Sequence, residues 1–328
     1  METALPQIFK ENETFTSFVR RVREMKDYSQ IEKFVDERYS IDITSFNIFA
    51  SGYSNLNFIA ETNLGKLIIR ISRPRRSVGS IYFEEKVSIF LKSKGISVRV
   101  PILGKNGELF FDHPYGYTIE VLTFIEGKAW PDDWNLEVVK SSGELLGKIH
   151  SLSRNFGTSL DIPRLDIYEK IKDFQNIINL EKSLDTMVFS TLNQCVAFLD
   201  TRSLLGSPQS ILHGDFGPSN LVFEGNKASG VFDFEGTCFG PSFYDYGVGV
   251  AQWAICQNSW DHRKISESFK RGYSLFCPVF DDKLVIFMEK VSLLERICAT
   301  ISFSKDYENE SYWKEELHFF VGMLRQIS

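Results

Sequence analysis

One segment constrains this chain more than any other. It reads Ile211-Leu212-His213-Gly214-Asp215-Phe216-Gly217-Pro218-Ser219-Asn220, followed by Gly230-Val231-Phe232-Asp233-Phe234-Glu235. Apolar strand-like runs flank it, so Asp215 and Asn220 share one rim of a rigid loop. The turn at Glu224-Gly225-Asn226 then brings Asp233 back to the same point. Each residue alone has an ordinary structural use, as an Asx turn, a cap or a strand-edge acid. The three together, at this spacing, point to chemistry. Phosphoryl transfer to a hydroxyl asks little of a protein: a carboxylate beside the nucleophile and oxygen ligands for Mg²⁺ at the phosphates. Magnesium keeps several waters, so one Asp and one Asn are enough.

The remaining pattern supplies the frame. Ile31, Phe34 and Val35 fall at helical spacing, and three apolar runs follow: Phe46 to Ala50, Asn57 to Glu61 and Leu67 to Ile71. Asn63-Leu64-Gly65 between the last two is a hairpin signal. Phe83, Val87, Phe90 and Leu91 predict a helix that stops at Gly95, with further strands near Leu109 to Phe111 and Tyr117 to Phe124. Beyond Glu126-Gly127 the periodicity is helical, interrupted only by the short strands around Ser210 to Asp245. A strand-rich piece followed by a helical one predicts two lobes with a cleft between them, where ligand sites tend to lie.

Composition narrows the partners. The 328 residues carry 43 acids and 37 bases, a net charge of −6, which argues against nucleic acid as a partner because phosphate-backbone binders cluster Lys and Arg. Five widely spaced cysteines form no C-x-x-C pair, so reduced, mostly buried thiols are expected, with no zinc site or disulfide framework. Residues 1–20 contain no apolar core of a signal peptide, and no apolar run approaches the length of a membrane span. A cytoplasmic protein is expected.

The stretch Ser210 to Val250, including Gly240-Pro241-Ser242-Phe243-Tyr244-Asp245, resembles the aminoglycoside phosphotransferase superfamily, which also contains choline kinases and type II homoserine kinases. The likeness extends to Leu146-Gly147-Lys148-Ile149-His150, to Ser51-Gly52-Tyr53-Ser54-Asn55 and to Leu67 through Ile71. It implies an α+β, two-lobed, protein-kinase-like fold. Residues 1–125 would form the nucleotide-binding lobe with an N-terminal helical extension, and 126–328 the catalytic and substrate lobe. It also implies ATP, Mg²⁺ and a small-molecule hydroxyl acceptor, in a monomer or homodimer.

The resemblance assigns roles residue by residue. Asp215 matches the carboxylate that takes the hydroxyl proton, and Asn220 and Asp233 match the metal pair. His213 braces the loop, and Asp245, in a turn after Gly-Pro, holds it through backbone N–H groups. Ser51, Gly52 and Asn55 match a nucleotide-covering loop. Arg70, at the end of its strand, stands where protein kinases place a phosphate-contacting lysine. An Arg there is a departure, because a planar fork does not mimic an ammonium point charge. Its acidic partner is expected to be Glu84, with Glu85 the rival. Leu122 would flank the adenine, and the backbone of Thr123 to Ile125 would bond its edge.

The acceptor is less legible. The last 78 residues hold 11 acids and 10 bases, so no acidic basin for a polycationic aminoglycoside stands out. Trp253, Trp260 and Trp313 offer a cation–π box for a quaternary amine, against an ordinary role in the core. Glu295 and Arg296 offer partners for an amino acid's ammonium and carboxylate, against a plain surface ion pair. The first expectation is a kinase for an amino-alcohol or amino-acid-like hydroxyl compound, homoserine- or choline-type. An antibiotic kinase comes next, and a nucleotide-binding pseudokinase is the reading from another class. A protein kinase is disfavoured, since neither G-x-G-x-x-G nor A-P-E occurs.

Overall fold

The structure is a computed structural model that describes residues 9–11, 13–25, 27–51, 55–74, 77–156, 162–181, 183–201, 204, 206–256, 261–304 and 310–327. Gly52 and Trp260, singled out above, lie outside the described residues, as do Tyr53, Ser54 and the first eight residues. The chain divides into two compact units after Glu126.

The first unit contains helices α1 (Phe15–Glu24) and α2 (Ser29–Tyr39), strands β1 (Ile43–Ser51), β2 (Asn55–Thr62) and β3 (Gly65–Ser72), helix α3 (Val78–Ser93), and strands β4 (Phe111–Asp112) and β5 (Thr118–Thr123). The strands form one antiparallel sheet in the order β1-β2-β3-β5-β4. The β2–β3 hairpin turns where Asn63-Leu64-Gly65 predicted it, and Gly65 takes the left-handed φ of +92° that a side chain resists.

β3 is buried on both faces from Leu67 to Ser72. Strand alternation sends Leu67, Ile69 and Ile71 into a core with Phe18 and Val22 of α1 and Ile31, Phe34 and Val35 of α2. The same alternation puts Arg70 on the opposite face. There it lies two residues before the strand's end, not at it, and opposite Glu120 of β5.

The second unit continues with helices α4 (Leu136–Ser153), α5 (Ile167–Leu180) and α6 (Thr186–Thr201), strands β6 (Gln209–Leu212), β7 (Leu221–Glu224), β8 (Lys227–Val231) and β9 (Cys238–Pro241), and helices α7 (Phe243–Cys256), α8 (His262–Tyr273), α9 (Asp282–Ser304) and α10 (Glu310–Gln326). β6 pairs with β9 and β7 with β8, as two separate antiparallel ribbons. Trp253 and Trp313 are core residues, 0% and 4% exposed, so they form no cation box. Aromatic side chains there do what their area favours, which is to leave water. No helix among the described residues is long and apolar enough to cross a membrane.

α4 and α8 pack closely because glycine permits it. A Cβ on Gly272 would sit 1.8 Å from the Lys140 carbonyl oxygen, and one on Gly143 2.2 Å from that of Phe269. These obstacles are backbone atoms, which cannot swing aside. Gly272→Ala is therefore expected to cost at least about 2 kcal/mol through overpacking. Urea unfolding of the variant measures this, and an unchanged midpoint contradicts the close α4–α8 seam.

Candidate active site

The loop that leaves β6 and carries Asp215 is tied down at its first two amides. Asp245, fully buried, accepts hydrogen bonds from the backbone N–H of His213 and, at 2.9 Å, of Gly214. It sits in the first turn of α7 and not in a turn, because Phe243 already begins the helix. Its Oδ2 also lies 3.4 Å from His150 Nε2 of α4, whose Nδ1 meets the Tyr273 hydroxyl at 2.9 Å. Gly214 has φ +87°, and a Cβ there would lie 2.4 Å from the Gly236 carbonyl oxygen. His213 acts as the brace expected of it. Its Nε2–H donates to the Phe232 carbonyl at 2.9 Å, and its Nδ1 accepts the Asp215 N–H at 3.3 Å.

Asp215 follows with every position held. Asn220, in the short 3₁₀ turn Pro218–Asn220, donates from its side-chain NH₂ to the Asp215 carbonyl at 2.8 Å and to Oδ2 at 3.2 Å. Gln252 of α7 donates to Oδ1 at 3.1 Å, and the Arg296 guanidinium of α9 donates to the same oxygen. Burial raises the Asp215 carboxyl above its usual range, while Arg296 and His213 oppose the rise and Asp233 adds to it. Burial and Asp233 thus pull this carboxyl one way and Arg296 and His213 the other.

Asp233 lies just past β8, not on it, and adopts φ 67°, ψ 63°, a left-handed conformation unusual for a side-chain-bearing residue. Its Oδ1 is buried and accepts no hydrogen bond. A buried carboxylate oxygen left in this state is costly unless a cation completes it. Asn220 has turned its NH₂ toward Asp215, so its amide oxygen is the atom left for a ligand. No cluster of three or more His, Cys, Asp or Glu among the described residues can hold a metal. One carboxylate and one amide oxygen suit a hard divalent cation that brings waters and phosphate oxygens of its own.

Glu295 and Arg296 do not form the pair read from the sequence. Successive residues on a helix do not face each other. Arg296 reaches Asp215, whereas Glu295 accepts from Lys170 and from the Tyr244 hydroxyl at 2.6 Å. Gln252 was missed altogether, although a lone amide in the otherwise apolar turn Val250-Ala251-Gln252-Trp253-Ala254 was a signal.

In the first unit Arg70 has more company than one acid. Its guanidinium bonds Glu84 at 2.7 Å, Glu85 at 3.3 Å and Glu120 at 2.8 and 2.9 Å, with all four residues at most 5% exposed. Glu84 and Glu85 are therefore joint partners. Glu120, in the middle of an apolar strand, was the third, and its charge in that setting could have flagged it. Four of the five guanidinium N–H donors are engaged, which leaves little of Arg70 for a phosphate. Burial, with Glu120 next, pushes the Glu85 carboxyl up to about 10.

The other expected nucleotide residues are placed unevenly. Ser51 ends β1 opposite Leu56. Asn55 is buried and accepts from the Ser72 hydroxyl at 2.7 Å, bracing the sheet and facing no solvent. Leu122 and Ile125 are buried. The Thr123 N–H donates to the Val100 carbonyl at 2.9 Å, so it is already spent and drops out of the expected adenine contacts.

A carboxylate oriented by three donors beside a cation-ready pair suits phosphoryl transfer. Residues 45–276 match the family described as the phosphotransferase enzyme family, and the chain belongs to it. Relatives include a homoserine kinase of Rhodopseudomonas palustris (strain BisA53), 26% identical over 245 residues, spanning 73% of this chain and 72% of that one. Another, from Brucella anthropi, is 25% identical over 254 residues and 74% of each chain. Among solved structures, an amicoumacin kinase in complex with AMP-PNP and Ca²⁺ aligns with a TM-score of 0.74 at 16% identity, over 93% of this chain and 95% of that one. A microcompartment-associated aminopropanol kinase aligns with a TM-score of 0.71 at 16% identity, over 91% and 95%. The fold is thus the α+β, protein-kinase-like one that the sequence implied, and the chain is an enzyme of the small-molecule kinase type.

The raised Glu85 carboxyl makes stability depend on pH. The folded protein holds a proton that the unfolded chain releases near pH 4.5, so stability is fully present below that value and falls as pH rises toward about 10. Urea unfolding between pH 5 and 9 should show this decline in the parent and a shallower slope, by one proton, in Glu85→Gln. Parallel slopes contradict a protonated Glu85.

Proposed function

We propose that the chain transfers the γ-phosphate of ATP, with Mg²⁺, to a hydroxyl of a small amino-acid-like or amino-alcohol compound in the cytoplasm. The observation that carries this reading is the pairing of a fully oriented Asp215 with the orphaned Oδ1 of Asp233. Asp215 is placed to accept the acceptor's hydroxyl proton as the O–H bond breaks. The freed oxygen bonds the γ-phosphorus, and the bridging P–O bond breaks to release ADP. A raised carboxyl suits this work, because a general base is most effective when its proton affinity approaches the working pH. Asp233 and the Asn220 amide oxygen would hold the cation, which when bound offsets phosphate charge.

Within the first unit, Leu122 and the backbone at Ile125 are proposed nucleotide contacts, with Ser51 at the end of β1 a further one. Arg70 is proposed chiefly to fix β3, β5 and α3 to one another, through Glu120 on one strand and Glu84 and Glu85 on the helix. The kinase names of the relatives and of the structural neighbours support the acceptor class. The amicoumacin kinase supports a second reading, an antibiotic acceptor.

Asp215→Ala is expected to lower ADP release by about 10²–10⁴-fold, while Mg-ATP still raises the melting temperature, because a ligand that binds only the folded chain stabilises it. Normal turnover in that variant refutes the assignment. Asp233→Ala should abolish the magnesium dependence of the ATP-induced melting shift, and an unaltered magnesium titration removes Asp233 from the metal site.

A further inference from the structure

Asp215 Oδ1 carries two donors of unequal permanence. Gln252 is 6% exposed and held within α7. Arg296 is 36% exposed along its side chain and reaches the carboxylate from α9 as a solvent-edge ion pair. The helix beneath it does not shift easily, since Glu295 is pinned by Lys170 and Tyr244 and the Arg296 carbonyl accepts the Thr300 hydroxyl at 2.9 Å. Only the guanidinium is exchangeable. An exposed pair of this kind is weak, and a second carboxylate can take the cation, with the guanidinium fork free to bond it bidentately.

We propose that Arg296 is the acceptor-reading residue: an acceptor bearing a carboxylate near its hydroxyl takes the guanidinium from Asp215 and sets the hydroxyl beside the vacated Oδ1. The anion anchors the acceptor and brings its hydroxyl to Asp215, an effect that an amino alcohol lacking the carboxylate does not gain. The proposal rests on the phosphotransfer reading at Asp215.

Matched acceptors that differ only by the carboxylate test it: L-homoserine with 3-aminopropan-1-ol, L-serine with ethanolamine, and L-threonine with 1-aminopropan-2-ol. ADP release by the full chain is measured on each, with sugars and aminoglycosides as further acceptors, for the parent, Arg296→Gln and Arg296→Lys. The parent should favour the carboxylate member of at least one pair by 100-fold or more in kcat/KM. Arg296→Gln should reduce that preference below 10-fold, mainly by raising KM for the acid with KM for ATP unchanged, and Arg296→Lys should restore part of it. Melting temperatures within a few degrees of the parent confirm that both variants are folded. A preference that survives Arg296→Gln, or turnover confined to acceptors without a carboxylate, overturns the role of Arg296 while leaving the phosphotransferase intact. Absence of ADP release across the whole panel overturns the phosphotransfer reading and this inference with it.

Discussion

The placement of Asp215 depends on one buried carboxylate elsewhere in the chain. Asp245 takes the N–H of His213 and of Gly214 and meets His150, so a single side chain joins α7, α4 and the loop that carries Asp215. Hydrogen bonds to an ionised acceptor are stronger than neutral ones, and low local dielectric strengthens them further. The position in the first turn of α7 adds the favourable end of the helix dipole. Once the two amides are fixed, Gly214 is compelled into a left-handed conformation against Gly236, and His213 closes the loop onto Phe232. The direction of Asp215 follows from these contacts.

Electrostatics divide the two arginines by burial. Arg70 is enclosed by three acids, one of them held protonated by its surroundings. Removing one member of such a buried cluster leaves an uncompensated charge, at a cost of about 3–5 kcal/mol. Arg296 stands at the solvent edge against one carboxylate, where a pair contributes about 1 kcal/mol or less. The first arrangement builds structure, and the second, at the solvent edge, is the one proposed above to exchange partners.

Much of this was legible in order along the chain. The hairpin at Asn63-Leu64-Gly65, the helix ending at Gly95 and the helical faces beyond Glu126 are local patterns, set by propensity and periodicity within a few residues. Asp215 and Asn220 were legible because a five-residue separation is short enough for one loop to fix, and Asp233 because a tight hairpin returns it. Glu120 and Gln252 were missed because each acts on a residue far away in sequence, 50 and 37 positions from its partner.

By itself the sequence determined the elements, the oxygen-bearing trio and the kind of reaction they suit, since these follow from spacings that backbone geometry converts directly into position. Only the tertiary structure decided that Arg70 meets three acids, that Asn55 and the Thr123 amide are turned to structural use, and that Arg296 parts from Glu295 to reach Asp215. Those outcomes depend on which strand lies beside which and on which way a helix is rotated, and burial, not local spacing, settles both.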